Sequence, residues 1–165
     1  MRKLIYLFVI INFSLSCKSK EKVPASATAT AAATDTVLLA SIERTPCFGR
    51  CPTYKITIYQ SGYVVMDGKQ NVKNIGMFST RLNKTQVEEI KSYIIEKKIY
   101  DLQDKHVNPH IVDFPSTFAE INLNGKYKHI TNTEPQAPQQ LIDFEKYLDS
   151  FFTDETKWEL ISELK

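Results

Sequence analysis

Apolar and polar residues alternate and repeat along this chain in patterns that predict its elements in turn. Thr36 to Glu43 is apolar and then alternating, which reads as a first strand. Tyr54 to Tyr59 alternates with period two and places Tyr54, Ile56 and Ile58 on one face. Gln60-Ser61-Gly62 supplies turn residues, and Tyr63 to Met66 returns as the second arm of a hairpin. Asp67-Gly68 marks another turn, and Val72 to Thr80 reads as a further strand.

The period then lengthens. Val87, Ile90, Tyr93 and Ile94 form an apolar stripe at helical spacing, opposed by Glu88, Glu89, Lys91, Glu96, Lys97 and Lys98. Asn83 is placed as N-cap and Gln86 completes a capping box, while Leu82 and Val87 are spaced as a hydrophobic staple. The helix is expected to end near Lys97. Asp101 to Pro115 is polar and turn-rich. Thr117 to Leu123 and Tyr127 to Thr131 flank Asn124-Gly125, the strongest short hairpin signal. Pro138 is placed in the first turn of a last helix that turns Leu141, Phe144, Leu148 and Phe151 inward. Trp158 is expected to anchor the tail on the core. The order is strands, helix, hairpin, helix. It predicts an α+β fold: a two-layer antiparallel sheet of about five or six strands with two helices on one face.

The front of the chain changes where that domain is expected to reside. Met1-Arg2-Lys3 is a basic head, Leu4 to Phe13 is almost unbroken apolar sequence, and Ser14-Leu15-Ser16-Cys17 closes it. That is the order of parts in a signal peptide, and the run falls short of the roughly 20 residues a membrane span needs. Ser16-Cys17 has the form of a lipoprotein cleavage and acylation site, although Ser14 stands where leucine is usual. Residues 1–16 are therefore expected to be a lipoprotein signal peptide. Cys17 is expected to be the lipidated residue, and 17–36, rich in alanine and threonine, a flexible tether. Residues 37–165 are expected to form the single domain. Lys18 after the cysteine is not the aspartate that retains lipoproteins in some inner membranes, so the outer membrane is the expected location, on either its periplasmic or its outward face.

Composition agrees with one folded domain: 165 residues, 42% hydrophobic and 11% aromatic. The net charge of +2 comes from lysines interleaved with acids, which excludes the basic footprint of a nucleic-acid binder.

The chemistry is concentrated in Arg44-Thr45-Pro46-Cys47-Phe48-Gly49-Arg50-Cys51-Pro52-Thr53-Tyr54, which holds two of the three cysteines. In an exported protein two cysteines this close are most simply a disulfide, with Gly49 easing the turn between them. Such spacing on a helix leaves the side chains about 5–6 Å apart, so the motif is expected to be a loop. Alternatives stay open. Cys47 and Cys51 with His106 and His110 would make a Cys2His2 metal set for zinc or copper. The Cys-x-x-x-Cys-Pro spacing also resembles copper chaperones of cytochrome oxidase assembly, except that a strand follows here where theirs has a helix. A redox role would need a thiolate of lowered pKa, which Arg44 and Arg50 could favour. The sequence carries no Gly-x-Ser-x-Gly, no His-Glu-x-x-His and no phosphate loop.

Residues 43–54, Ile56 to Tyr59 with Gly62, and Asp113-Phe114-Pro115-Ser116 together resemble a bacterial family known as domain of unknown function 6438. The resemblance runs from about residue 37 to Trp158. It implies an exported or lipid-anchored protein and brings no established activity. It also implies that Cys47, Cys51, Pro52, Tyr54 and the Asp113-x-Pro115 turn are family features, whereas His106 and His110 are not. Arg44 and Asp113 both belong to that pattern, so an ion pair between them is expected. The functional expectation is a non-enzymatic envelope lipoprotein without a cofactor, attached to the membrane by its lipid and binding a protein or glycan partner. The alternative is a thiol or metal handling protein using Cys47 and Cys51.

Overall fold

A computed structural model describes residues 36–111, 114–153 and 155–162. The signal peptide, Cys17, nearly all of the tether and Asp113 lie outside the described residues. The elements follow in the order β1 (Leu38–Arg44), β2 (Thr53–Tyr59), β3 (Tyr63–Gln70), β4 (Gly76–Arg81) and α1 (Lys84–Glu96). After them come a short 3-10 turn (Ile99–Asp101), β5 (Lys105–His106), β6 (Thr117–Leu123), β7 (Lys126–Asn132), α2 (Gln139–Ser150) and β8 (Glu159–Ser162).

Local chemistry explains most of these limits. Asn83 caps α1 by accepting from the Gln86 backbone N–H at 3.0 Å, and the Gln86 side chain accepts from the Asn83 N–H at 2.9 Å. This is the capping box, and it satisfies two helix-end donors reciprocally. Leu82 and Val87 are both buried beside it. Gly62, at φ +83°, turns β2 into β3, and an added Cβ would meet the Leu82 carbonyl oxygen at 2.6 Å. Pro138 is the N-cap of α2, one place before its expected position.

The sheet is open, in the order β5-β7-β6-β1-β2-β3-β4-β8. It corrects the expected count and polarity: eight strands stand among the described residues, and β5 runs parallel to β7. The two unforeseen strands are both marginal ones. β5 is held between Thr131 N–H to Asp104 O and Thr133 N–H to His106 O, both 2.8 Å. β8 pairs with β4 through Met77, Phe78 and Ser79. Asp67-Gly68, expected as a turn, lies inside β3, and the chain turns instead at residues 71–74, so that β4 begins at Gly76.

Alternation gives the sheet two unlike faces. Ala40, Ile42, Ile56, Ile58, Val64, Ala119, Ile121 and Ile130 face a core into which α1 sends Val87, Ile90 and Ile94 and α2 sends Leu141, Phe144 and Leu148. Fully burying one of the valine, leucine, isoleucine or phenylalanine side chains among these contributes about 1.5–3 kcal/mol. The helices meet through Tyr93 stacked on Tyr147, with ring centroids 3.9 Å apart. Trp158 packs against this core from the tail, next to Phe152. The opposite face carries Glu43, Lys55, Asp67, Lys69 and Glu120 in a lattice of ion pairs. Among the described residues no helix is long and apolar enough to cross a membrane.

The strands also give the sheet two ends. β1 begins at Leu38 beside the β2–β3 turn, where Gln60 donates to the carbonyls of Leu38 and Asn122. It finishes about 20 Å away at Arg44, where the cysteine motif begins.

Candidate binding site

At that second end the inward-facing row of the sheet turns polar. Its paired positions run Asn132, Thr117, Arg44, Tyr54, Gly68 and Gly76. Onto this row α2 lays Glu145 and Asp149, one helical turn apart on its inner side. Asp149 Oδ2 accepts from Arg44 Nε at 3.0 Å and Nη2 at 2.5 Å, and its Oδ1 accepts from the Tyr54 hydroxyl at 2.6 Å. Glu145 accepts from the Asn132 amide at 3.0 Å and lies 3.7 Å from Arg44 Nη1, which also donates to Thr117 Oγ1.

Burial and charge set the protonation of this cluster. Burial works against the Arg44 charge, yet the hydrogen bond and charge of Asp149, with Tyr54 and Glu145, outweigh it and hold the guanidinium above its usual pKa. Burial first, and the Asp149 carboxylate second, push the Tyr54 phenol well up, so it stays a donor. Burial also raises the Glu145 carboxyl, against the opposing pull of Asn132 and Arg44.

Beyond the row, residues 45–52 form a loop joining β1 to β2, and a disulfide joins Cys47 to Cys51 with Cα atoms 5.6 Å apart. Gly49 does not sit at positive φ, and a Cβ there would make only an ordinary 3.8 Å contact with Cys47 Sγ. Its N–H donates to that sulfur at 3.3 Å. Pro52 is exposed just before β2, and Phe48 stands 95% exposed at the loop tip. Thr45 pins the later loop to the motif. Its hydroxyl and N–H both donate to the Ser116 carbonyl, and Ser116 N–H donates back to its Oγ1.

The neighbouring turn completes the site. Asn71, at φ 54°, donates its side-chain amide to the Cys51 carbonyl at 3.1 Å. Residues 71–74 fold over Gly68 so closely that a Cβ there would meet the Asn74 carbonyl oxygen at 1.9 Å. Between this turn, Tyr54, Asp149 and the tail lies a cleft of about 440 Å³, walled by Met66, Phe152 and Trp158.

The structure thus brings together Arg44, Cys47, Cys51 and Tyr54, but it does not assemble the Cys2His2 set. The two sulfurs are bonded to each other. His106 lies on β5, three strands across from β1 or about 14 Å, with Nε2 3.1 Å from the Gln103 carbonyl. His110 is exposed in the following loop. Among the described residues no group of three or more His, Cys, Asp or Glu side chains is placed to hold a metal ion. Arg44 meets Asp149 and Glu145, and the expected partner Asp113 lies outside the described residues.

Glu145 and Asp149 went unnoticed in the sequence, although one signal was present: Glu145 falls inside the apolar stripe of Leu141, Phe144 and Leu148. An acid on a buried helix face needs a buried partner. No curated protein matches the chain. The family described as domain of unknown function (DUF6438) matches residues 39–152, from β1 through the end of α2, and the chain belongs to it.

Proposed function

We propose that this chain is a non-enzymatic, lipid-anchored protein of the cell envelope whose domain is a binding module, with its ligand site at the cysteine-loop end of the sheet. The observation that carries this reading is the cleft beside the disulfide loop, bounded by Tyr54, Asp149 and Trp158. Concave sites that mix aromatic walls with a few fixed polar groups are the usual form of a ligand pocket. The polar groups here favour binding over proton transfer, because both oxygens of Asp149 are already engaged by Arg44 and Tyr54. The anchor is Cys17, and the outer membrane is the proposed location. The signal-like N-terminus and Ser16-Cys17 support both.

Two arms of one experiment in intact cells test the reading. Feeding a palmitate analogue is expected to label the wild-type chain and not Cys17→Ser; equal labelling of the two would remove the anchor. A photo-crosslinking residue at Thr153, on the rim, is expected to give a discrete adduct that the same residue at Glu88, on the far side of α1, does not. Identical patterns at the two positions would remove the binding site.

A second reading rests on the Gly49 N–H directed at Cys47 Sγ, a contact that would favour a thiolate once the bridge is opened. It predicts a reduction potential well above the roughly −300 mV below which structural disulfides lie. A lower potential, measured in glutathione buffers, leaves the binding module alone.

A further inference from the structure

The cleft walls say what kind of molecule fits. One side is apolar and aromatic, built from Met66, Phe152 and Trp158. The polar lining residues include Asn71 and Asn74 of the turn after β3, and Thr156, whose hydroxyl accepts from the Thr153 N–H at 2.9 Å and keeps its own proton to donate. Among the described lining residues, Lys73 brings a positive charge and Asp149 a negative one, and Arg44 stands behind Asp149.

Several ligand classes fit this lining badly. A hydrocarbon chain would strip water from the amides and hydroxyls without replacing their hydrogen bonds, which costs about 1–3 kcal/mol for each group left unsatisfied. A cation would find Asp149 already accepting three hydrogen bonds. A polyanion would leave the aromatic wall unused and meet little net charge. A sugar ring satisfies both sides. Its apolar face presents weakly positive C–H groups to the negative face of an aromatic ring, and its equatorial hydroxyl or acylamino groups pair with amides and hydroxyls.

We infer that the cleft binds a neutral carbohydrate, a short run of glycan lying against Trp158 and held by Asn71, Asn74 and Thr156. The inference rests on the binding-module reading and names its ligand class. The shared chemistry has two sources in an envelope, N-acetylated glycan such as the peptidoglycan backbone and unacetylated polysaccharide. Met66 and Phe152 lie within the family-matched residues 39–152, and Thr156 and Trp158 follow them in the chain.

Trp158 is the chain's single tryptophan, so intrinsic tryptophan emission reports on this cleft directly. The full chain in detergent is titrated with a tetramer of N-acetylglucosamine and, separately, with maltotetraose. A saturable change in emission with either sugar is expected. Response to the acetylated tetramer alone assigns the acylamino source, and response to both assigns recognition of hydroxyls. Asn74→Ala and Thr156→Val are each expected to weaken binding about tenfold, one hydrogen bond's worth, with the far-ultraviolet spectrum unchanged. Two results would overturn the inference: no saturation with either sugar, or binding that both variants leave intact. Crosslinking at Thr153 that persists while both sugars fail would reject the carbohydrate and leave the binding module standing.

Discussion

Asp149 is the residue on which the loop end of the fold closes. Its carboxylate takes hydrogen bonds from Arg44 on β1 and Tyr54 on β2, positions that face each other directly in the sheet. Hydrogen bonds to charged groups contribute about 1.5–3 kcal/mol, so Asp149→Ala is expected to lower the unfolding free energy by about 2 kcal/mol in urea titrations. Tyr54→Phe and Asp149→Ala are expected to be coupled by about 1 kcal/mol in a double-mutant cycle. Strict additivity would mean that the tyrosine hydroxyl does not hold the helix. A second residue sets the acid limit. On the outer sheet face burial would raise the Glu120 pKa, but hydrogen bonds from Tyr127 and Ser41 and the charge of Lys55 prevail, and the carboxyl lies below its ordinary 4.5. The folded form then holds fewer protons than the unfolded one. Stability from Glu120 is present above pH 4.5 and drains away as pH falls through the lower folded value. Glu120→Gln is expected to flatten the fall of melting temperature below pH 5; an unchanged slope would reject this account.

At the scale of elements, what could be read in the sequence was what is decided locally. The capping box at Asn83 and Gln86 and the turns at Gly62 and Asn124-Gly125 depend on a few neighbouring residues, and all form as expected. β5 and β8 could not be read because two and four residues show no period; pairing with β7 and β4 makes them strands. The partner of Arg44 was hidden for a similar reason, since 105 positions separate it from Asp149 and only the packing of α2 brings them together. The cysteine loop is a local device too. It closes across a separation of 4, lies outside the core, and should contribute about 2 kcal/mol by restricting the unfolded chain. The double variant Cys47→Ser with Cys51→Ser is expected to fold, with that loss of stability, and to show weaker ligand binding because Asn71 is held through the Cys51 carbonyl. An unfolded double variant would make the loop part of the fold's foundation.

The whole molecule is arranged around β1. This strand lies inside the sheet with β2 and β6 antiparallel on either side, carries the N-terminal segment at its first residue, and delivers the cysteine loop at its last. That geometry has a mechanical consequence. Tension between the proposed anchor ahead of β1 and the proposed ligand at the loop end would run along the axis of one interior strand. Both flanking ladders would then carry the load together, in shear. A pull on β8, at the margin of the sheet, would instead part its ladder from β4 one hydrogen bond at a time. Single-molecule stretching with handles at residues 36 and 48 is expected to require a higher rupture force than stretching between 48 and 162, and equal forces would refute it. Strand order alone thus makes the axis of β1 the stiffer line of pull through this sheet.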